Sequence, residues 1–216
     1  MLTVAISTSS GQFAFVIGEN AKVLFDSSMQ LENVKELDDT CSAGLHFCQK
    51  EIHDISQIII DIGPGGTSRV RTGIAFANAL AYSLGIPVYS ASSMELAGID
   101  AANTFGGLPV INSIKSIKGN AYIGLYNQGL LSIQYGAINE IVPPLVQDFD
   151  KFIVVGFHRE TIMHLPALQD KTIIDSAMSY GNAKILIEKS DLFIKNKHDF
   201  PEYAQPITEK TLIQHE

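Results

Sequence analysis

The stretch from Ile58 to Leu84 constrains the fold more than any other part of this chain. It runs I-I-I-D-I-G-P-G-G-T-S-R-V-R-T-G-I-A-F-A-N-A-L-A-Y-S-L. The β-branched run at its start predicts a strand that is buried on both faces. A glycine loop follows, and then a helical stretch that carries no charged residue from Thr72 onward. A buried strand, a tight loop and an apolar helix in this order indicate an α/β fold.

The helical stretch at residues 68–84 is apolar on nearly all sides. One stripe recurs at three- and four-residue steps and consists of Val70, Ile74, Ala77, Ala81 and Leu84. A helix that is apolar nearly all round is buried nearly all round. One side should therefore face the chain's own sheet, and the other is covered either by a predicted helix at 33–51 or by a partner. Small residues at Gly73, Ala77 and Ala81 would let a partner helix approach closely.

The loop Gly63-Pro-Gly-Gly lacks the marks of the common phosphate loops. No Gly-Lys-Ser/Thr follows it, as a Walker A loop requires, and Ser68 replaces the last glycine of a G-x-G-x-x-G loop. Pro64 also lacks an amide donor. One interpretation is therefore a tight turn into the helix, capped by Thr67 or Ser68.

The other interpretation of this loop is an anion site, because the N-terminus of a helix attracts negative charge. The candidates for nucleotide or anion contacts are Ser7, Thr8, Gly63, Gly65, Gly66, Thr67 and Arg71, with Arg69 near. The hydroxyls at residues 7–10 resemble a phosphate hairpin, but this hairpin has no carboxylate for a cation. Asp61, just before the loop, is either functional or a partner of loop amides and solvent.

One plan of elements occurs twice along the chain. The first copy has strands at 3–8, 13–17, 22–27, 55–62 and 88–90 and helices at 33–51, 68–84 and 92–99. Its first three strands predict an antiparallel meander. The second copy has strands at 110–113, 121–126, 131–135, 152–156 and 173–174 and a helix at 176–189. Glycines and a proline at 103–109 mark a boundary, so we predict domains 1–106 and 107–216 that meet at a cleft.

Composition excludes several classes of protein. The net charge of −8 comes without a lysine or arginine cluster, which argues against autonomous nucleic-acid binding. No apolar run approaches the roughly 20 residues of a membrane helix, and the N-terminus has no signal-peptide pattern. Cys41 and Cys48 lie too far apart along a helix for a disulfide, so they are small core residues or a metal pair with His46. A cytoplasmic protein is expected.

Catalytic groups are hard to find in the sequence. The six histidines are His46, His53, His158, His164, His198 and His215, and none forms an H-x-x-x-H pair. His158 and His164, six residues apart, suit neither a helical nor a strand metal site, and we interpret them as surface or loop residues. We therefore expect no metal site and no catalytic residue.

The motifs resemble the actin-like, ribonuclease H-like fold and, within it, the TsaB (YeaZ) family. The family pattern G-P-G-S-F-T-G-V-R-I-G-I is similar to Gly63-Pro-Gly-Gly-Thr-Ser-Arg-Val-Arg-Thr-Gly-Ile74, and the family's closing P-x-Y-x-R-P to residues 201–206. Three positions depart from the family. Ser7 stands where the first strand usually has Asp, Asn33-Val-Lys replaces His-Ser-Glu, and residues 115–122 replace D-A-R-x-G-E-V-Y. The resemblance implies two subdomains, each a mixed sheet flanked by helices.

That resemblance also implies a function. The chain would be a non-catalytic subunit that scaffolds a TsaD-type enzyme, which transfers threonylcarbamoyl to adenosine 37 of tRNA. A TsaE-type ATPase would join, tRNA would be reached only through the complex, and no cofactor beyond weakly bound nucleotide is expected. The implied interface lies on helices 33–51 and 69–84 and comprises Leu37, Cys41, Leu45, Arg69, Thr72, Gly73, Phe76, Ala77 and Leu80.

Three alternatives stay open. The same apolar helices would also support a homodimer, since an unpaired apolar face self-associates. An ATPase or small-molecule kinase of the same fold would bind nucleotide, although Ser7 in place of Asp argues against it. A peptidase is suggested only by the older name of the family, glycoprotease-like, and no nucleophile and base pair supports it.

Overall fold

The computed structural model describes residues 1–10, 13–30, 36–116, 119–198 and 203–213. The strands, in chain order, are β1 (Leu2–Ser7), β2 (Ala14–Glu19), β3 (Lys22–Asp26), β4 (Ile55–Asp61), β5 (Val88–Ala91), β6 (Val110–Lys115), β7 (Ala121–Asn127), β8 (Leu130–Gly136), β9 (Lys151–Gly156), β10 (Thr172–Asp175) and β11 (Lys197–His198). The α-helices are α1 (Ser27–Gln30), α2 (Leu37–Phe47), α3 (Thr67–Leu84), α4 (Ser93–Thr104), α5 (Ile138–Leu145), α6 (Arg159–Met163), α7 (Ile185–Glu188) and α8 (Glu209–Ile213).

The chain divides into two compact units. The first comprises Met1–Ser93 and Ala183–Pro206, and the second comprises Met94–Asn182 and Ile207–Glu216. The sequence placed the division at residues 106 and 107 instead. The difference arises because α4 packs within the second unit, where a side chain at Gly98 would meet the Tyr126 ring. The glycine-rich stretch after α4 is therefore a loop inside a unit.

The first unit is built on a six-stranded sheet in the order β11-β5-β4-β1-β2-β3. Strands β1, β2 and β3 form the predicted antiparallel meander, while β1, β4 and β5 run parallel. Ile58, Ile59 and Ile60 of β4 are fully buried, as the β-branched run predicted. Helices α2 and α3 pack on this sheet, and their apolar residues share its core.

The second unit repeats the plan with a five-stranded sheet in the order β10-β9-β6-β7-β8. Strands β6, β7 and β8 form an antiparallel meander, and β6, β9 and β10 run parallel. Helices α5 and α6 contribute Ile141, Val142 and Ile162 to its core. Two mixed sheets flanked by helices, each with the same order of elements, confirm the predicted fold class.

Two helices are shorter in the structure than the sequence pattern predicted. The helix predicted at 33–51 is Leu37–Phe47, because Gln49 takes a left-handed backbone conformation after the C-cap Cys48; residues 33–35 lie outside the described residues. The helix predicted at 176–189 is only Ile185–Glu188. Gly181 lies so close to the backbone of Ala97 that no side chain fits there. The segment around Gly181 therefore packs on α4 and does not form a helix.

Candidate functional site

The glycine loop is held in place by its own backbone carbonyls. Gly63 O accepts hydrogen bonds from Ser93 N at 2.9 Å and from Ser92 Oγ at 3.1 Å. Pro64 O accepts one from Ser93 Oγ at 2.6 Å. Helix α3 then begins after the N-cap Gly66, which has no side-chain cap. The predicted capping by Thr67 or Ser68 is therefore wrong: Thr67 is already the first helical residue, so its side chain lies past the capping position.

Asp61 ties this loop to the first strand. Its carboxylate is fully buried and accepts hydrogen bonds from Ser7 Oγ at 2.7 Å, Ser9 Oγ at 2.5 Å and Gly63 N at 2.8 Å. Burial raises the pKa of Asp61, and these three hydrogen bonds oppose that shift only in part. The prediction that Asp61 meets loop amides is confirmed. Both of its carboxylate oxygens accept hydrogen bonds within the fold.

Two glycines let the hairpin after β1 lie directly on the loop and on α3. A Cβ at Gly65 would lie 2.7 Å from Ser9 Cβ, and one at Gly73 would lie 2.6 Å from Thr8 Oγ1. Thr8 Oγ1 in turn donates to Arg69 O at 2.8 Å. The hairpin, the loop and the first two turns of α3 are thus one packed unit that tolerates almost no added volume.

This packing corrects the sequence argument about small residues. Gly73 is small because Thr8 of the same chain occupies the adjacent space. Ala77 and Ala81 are buried in the first unit's own core. They do not provide a surface for close approach by another helix. The same holds for Leu37, which is also a core residue.

The candidate anion residues are split between interior and surface. Ser7, Thr8 and Gly63 are buried and already hydrogen-bonded. Gly65 is half-buried, whereas Gly66, Thr67, Arg69 and Arg71 are exposed at the start of α3. Across the part of the chain that the structure describes, no three His, Cys, Asp or Glu residues are grouped as metal ligands.

Helix α3 is covered on one flank by the chain itself. Asn78 Nδ2 donates to Ala204 O at 3.1 Å, across 126 residues of sequence. Ala204 is buried against the core of the first unit. The segment from Tyr203 to Pro206 therefore occupies part of the surface that the sequence left for a partner. Residues 199–202, the start of the segment predicted to be extended, lie outside the described residues.

The other flank of α3 borders an open groove, here called the α2–α3 groove, of about 560 Å³. Its floor consists of the apolar side chains of Cys41, Leu45, Phe76 and Leu80. Its rim is mixed in charge and comprises Asp38, His46, Lys50, Glu51, Ile52 and His53. Burial, and then the charge of Asp38, raise the pKa of Cys41 to about 11, so its thiol is neutral.

From Thr72 onward, the face of α3 that points away from the sheet is exposed and carries no charged residue. It consists of Thr72, Ala75, Ala79, Tyr82 and Ser83. Tyr82 is 67% exposed, and Ile52 on the rim of the groove is 42% exposed. Helix α2 therefore does not cover α3 entirely. We call this face together with the α2–α3 groove the helical surface.

Only some of the predicted interface residues reach the helical surface. Arg69 and Thr72 are exposed on α3, and Phe76 is half-buried. Cys41, Leu45 and Leu80 line the groove but are otherwise buried. The sequence missed Ala75, Ala79 and Tyr82. Their spacing of four and three residues, opposite the buried stripe, was the signal that would have identified them.

A family model and a curated relative place the chain in the same family. The family model described as TsaD: tRNA N6-adenosine threonylcarbamoyltransferase matches residues 32–164. A curated relative, the tRNA threonylcarbamoyladenosine biosynthesis protein TsaB of Bacillus subtilis (strain 168), is 33% identical over 99 residues. That match covers 46% of this chain and 40% of the relative, so it spans about two fifths of the curated protein.

Solved structures agree on the fold. YeaZ from Pseudomonas aeruginosa superposes with a TM-score of 0.76 at 17% identity, over 96% of this chain and 100% of that one. A second structure, described as a protein with similarity to peptidase YEAZ from the same organism, gives 0.78 at 17%, over 96% and 98%. At this identity the likeness shows the fold alone. Among the helices that the structure describes, none is long and apolar enough to span a bilayer.

Proposed function

The chain belongs to the family described as TsaD: tRNA N6-adenosine threonylcarbamoyltransferase, as a relative of TsaB (YeaZ), and from this premise we propose a scaffolding role. In this role the chain is a non-catalytic subunit of the complex that forms N6-threonylcarbamoyladenosine in tRNA. It binds and activates a TsaD-type transferase. A TsaE-type ATPase joins the complex, and tRNA reaches the chain as part of that assembly.

The helical surface is the observation that carries this proposal. It combines an uncharged helix face with an apolar groove floor, and exposed aromatic and aliphatic side chains flank both. Contiguous apolar surface of this kind is typical of a protein interface. The mixed charges on the rim, Asp38, Lys50 and Glu51, would fix the orientation of the partner more than its affinity.

The hairpin and glycine loop favour a scaffold over a nucleotide-cleaving enzyme. The position on β1 that carries Asp in nucleotide-binding relatives carries Ser7 here. The carboxylate of Asp61, which is adjacent, is fully buried and accepts three hydrogen bonds within the fold. A kinase or ATPase of this fold would need a carboxylate that reaches a hydrated cation, and Asp61 is not free to do so.

The direct test is to mix the purified chain with the TsaD-type subunit from the same organism and measure the mass by light scattering. A heterodimer is expected. Ala75→Glu and Ala79→Glu each place a charge on the exposed face of α3 without entering the core, and each should weaken association at least tenfold. Ala167→Glu, at an exposed alanine of the second unit, is the matched control and should associate normally.

The same mixture distinguishes the alternatives. A homodimer through the helical surface would be lost in the same two variants and would be displaced by the TsaD-type subunit. Failure to form a heterodimer, with the chain folded, would refute the scaffold. Tight magnesium-dependent ATP binding by the isolated chain would favour an enzyme instead.

A further inference from the structure

Phe157 is an exposed aromatic residue in an unusual place. It directly follows β9, whose residues from Phe152 to Val155 are fully buried, yet its own side chain is 58% exposed. It lies at the carboxyl end of the parallel strands of the second unit, the edge where ligands bind in α/β sheets. Neither the predicted fold nor the helical surface accounts for this residue.

The backbone around Phe157 is fixed by hydrogen bonds. Phe157 N donates to Ser113 O at 2.7 Å, and His158 N donates to Ser113 Oγ at 2.9 Å. Gly156 has φ of 98°, and its N donates to Met178 O at 2.8 Å. Any side chain at Gly156 would clash with Asn112 and Ser113, so the close turn requires glycine. The fold thus holds the Phe157 backbone at the sheet edge and leaves its side chain exposed to solvent.

A cation and an imidazole flank this ring. Lys115 Nζ lies 5.0 Å from the centroid of the Phe157 ring, and the His158 ring meets it edge-on at 5.2 Å. Within the described ranges, Lys115 has no ion pair, whereas nearby Arg159 is paired with Asp175 at 2.8 Å. The local positive charge is therefore that of Lys115.

His158 lies beside the Phe157 ring as a neutral imidazole. Its Nε2 is buried and has no hydrogen-bond partner among the described residues. Burial, and then the charge of Lys115, lower its pKa, so the ring is neutral at pH 7. This neutral ring meets the Phe157 ring edge-on without adding charge to the site.

We propose that Phe157, Lys115 and His158 form a contact site for one nucleotide of a single-stranded RNA segment. The base stacks on the exposed Phe157 ring and Lys115 binds the adjoining phosphate, while the His158 ring packs against the edge of the Phe157 ring. An aromatic surface beside a cation is how proteins hold unpaired nucleotides without strong sequence preference. That the RNA is tRNA rests on the proposed function; the nucleotide contact does not.

The acidic composition limits this site to a weak one. With a net charge of −8, the chain repels a polyanion at long range, and one lysine offsets this only locally. The site therefore adds one contact to RNA that another subunit holds. This reconciles the contact with the expectation that tRNA is bound only through the complex.

The chain offers a direct probe, because it contains no tryptophan. Phe157→Trp places a single emitting indole at the site, and a base that stacks on it quenches its fluorescence. Titration with oligoadenylate at low salt should quench this variant saturably. Tyr180→Trp, at another exposed aromatic of the second unit, is the matched control and should be quenched far less.

The lysine is tested in the same background. Adding Lys115→Gln to Phe157→Trp should weaken the affinity for oligoadenylate about tenfold and make that affinity less dependent on salt. Lys151→Gln, an exposed lysine at the opposite end of β9, should leave both unchanged. The proposal is overturned if Phe157→Trp and Tyr180→Trp respond equally, if Lys115→Gln has no effect, or if adenosine monophosphate binds as tightly as the strand. These titrations use the chain alone, so they are independent of heterodimer formation.

Discussion

Ser7 Oγ donates a 2.7 Å hydrogen bond to Asp61 Oδ2, joining the ends of two adjacent parallel strands across 54 residues of sequence. The family pattern that the sequence resembles has Asp on the first strand at the position of Ser7. Here that position carries a donor, and the carboxylate belongs to Asp61 at the end of β4. The pair is therefore an internal hydrogen-bonded link between the end of β1 and the residue that precedes the glycine loop.

Removal of the Asp61 carboxylate should therefore destabilise the fold. Asp61→Ala leaves Ser7 Oγ, Ser9 Oγ and Gly63 N without their acceptor, and we expect a loss of about 3 kcal/mol in the free energy of unfolding. Urea titration measures it. Asp170→Ala, at an exposed turn, should change stability by less than ~0.5 kcal/mol. Equal effects of the two substitutions would contradict the link.

The stability of the chain should also depend on pH through Asp61. Because its pKa is raised in the folded state, Asp61 stabilises the fold most below its ordinary pKa of 3.8, and this contribution is lost as the pH rises through the folded pKa. The free energy of unfolding of the native chain, minus that of Asp61→Asn, should fall from about pH 4 upward. Urea titrations of both proteins over this pH range measure this difference in the free energy of unfolding. A difference that rises with pH would contradict the raised pKa of Asp61.

Gly73→Ala should destabilise the chain although alanine favours helix. The added Cβ would lie 2.6 Å from Thr8 Oγ1, and we expect overpacking to cost about 1–3 kcal/mol. Thr8→Ala removes the obstructing atoms, so the double variant should lose less than the sum of the two single changes. Gly66→Ala, where no atom lies within 4 Å of the new Cβ, is the control: it changes only the N-cap preference of α3, so its effect should add to that of Thr8→Ala. If the effects of Gly73→Ala and Thr8→Ala were strictly additive, Thr8 would not be the residue that the new Cβ meets.

Asn78→Ala should release the segment that covers one flank of α3. It removes the donor to Ala204 O, which costs about 1 kcal/mol. Amide hydrogen exchange at residues 203–205 should become faster, while exchange in β1 and β4 stays slow. Asn182→Ala, at an exposed asparagine of the second unit whose backbone N donates to Asp100, is the control and should leave exchange at residues 203–205 unaffected. Unchanged exchange in Asn78→Ala would mean that Ala204 is held by its apolar contacts alone.

Much of the architecture follows from local patterns. The β-branched run at Ile58 predicts a buried strand, and the uncharged stretch to Leu84 predicts a helix that Gly85 ends in a left-handed conformation. The recurrence of a three-stranded meander followed by parallel strands was also visible, because each strand carries its own apolar pattern. Such features depend on residues close in sequence, so the sequence alone is sufficient to predict them.

The assignment of faces depended on distant contacts instead. Nothing near Gly73 indicates that Thr8 fills the space beside it, and nothing near Asn78 indicates that Ala204 returns to cover it. For that reason the small residues of α3 were assigned to a partner, whereas the exposed Ala75, Ala79 and Tyr82 were overlooked. The same limit hid Phe157, whose exposure is set by Ser113 and Gly156 rather than by its apolar neighbours in β9.

The amino-acid sequence by itself thus determined the order of strands and helices, the repeated plan and the family pattern around the glycine loop. Only the tertiary structure decided that Asp61 is buried and hydrogen-bonded inside the fold, that one flank of α3 is already covered and that the other borders an open groove. The physical reason is that periodicity records whether a side chain is buried, while the identity of what buries it is a property of contacts between residues far apart in the chain.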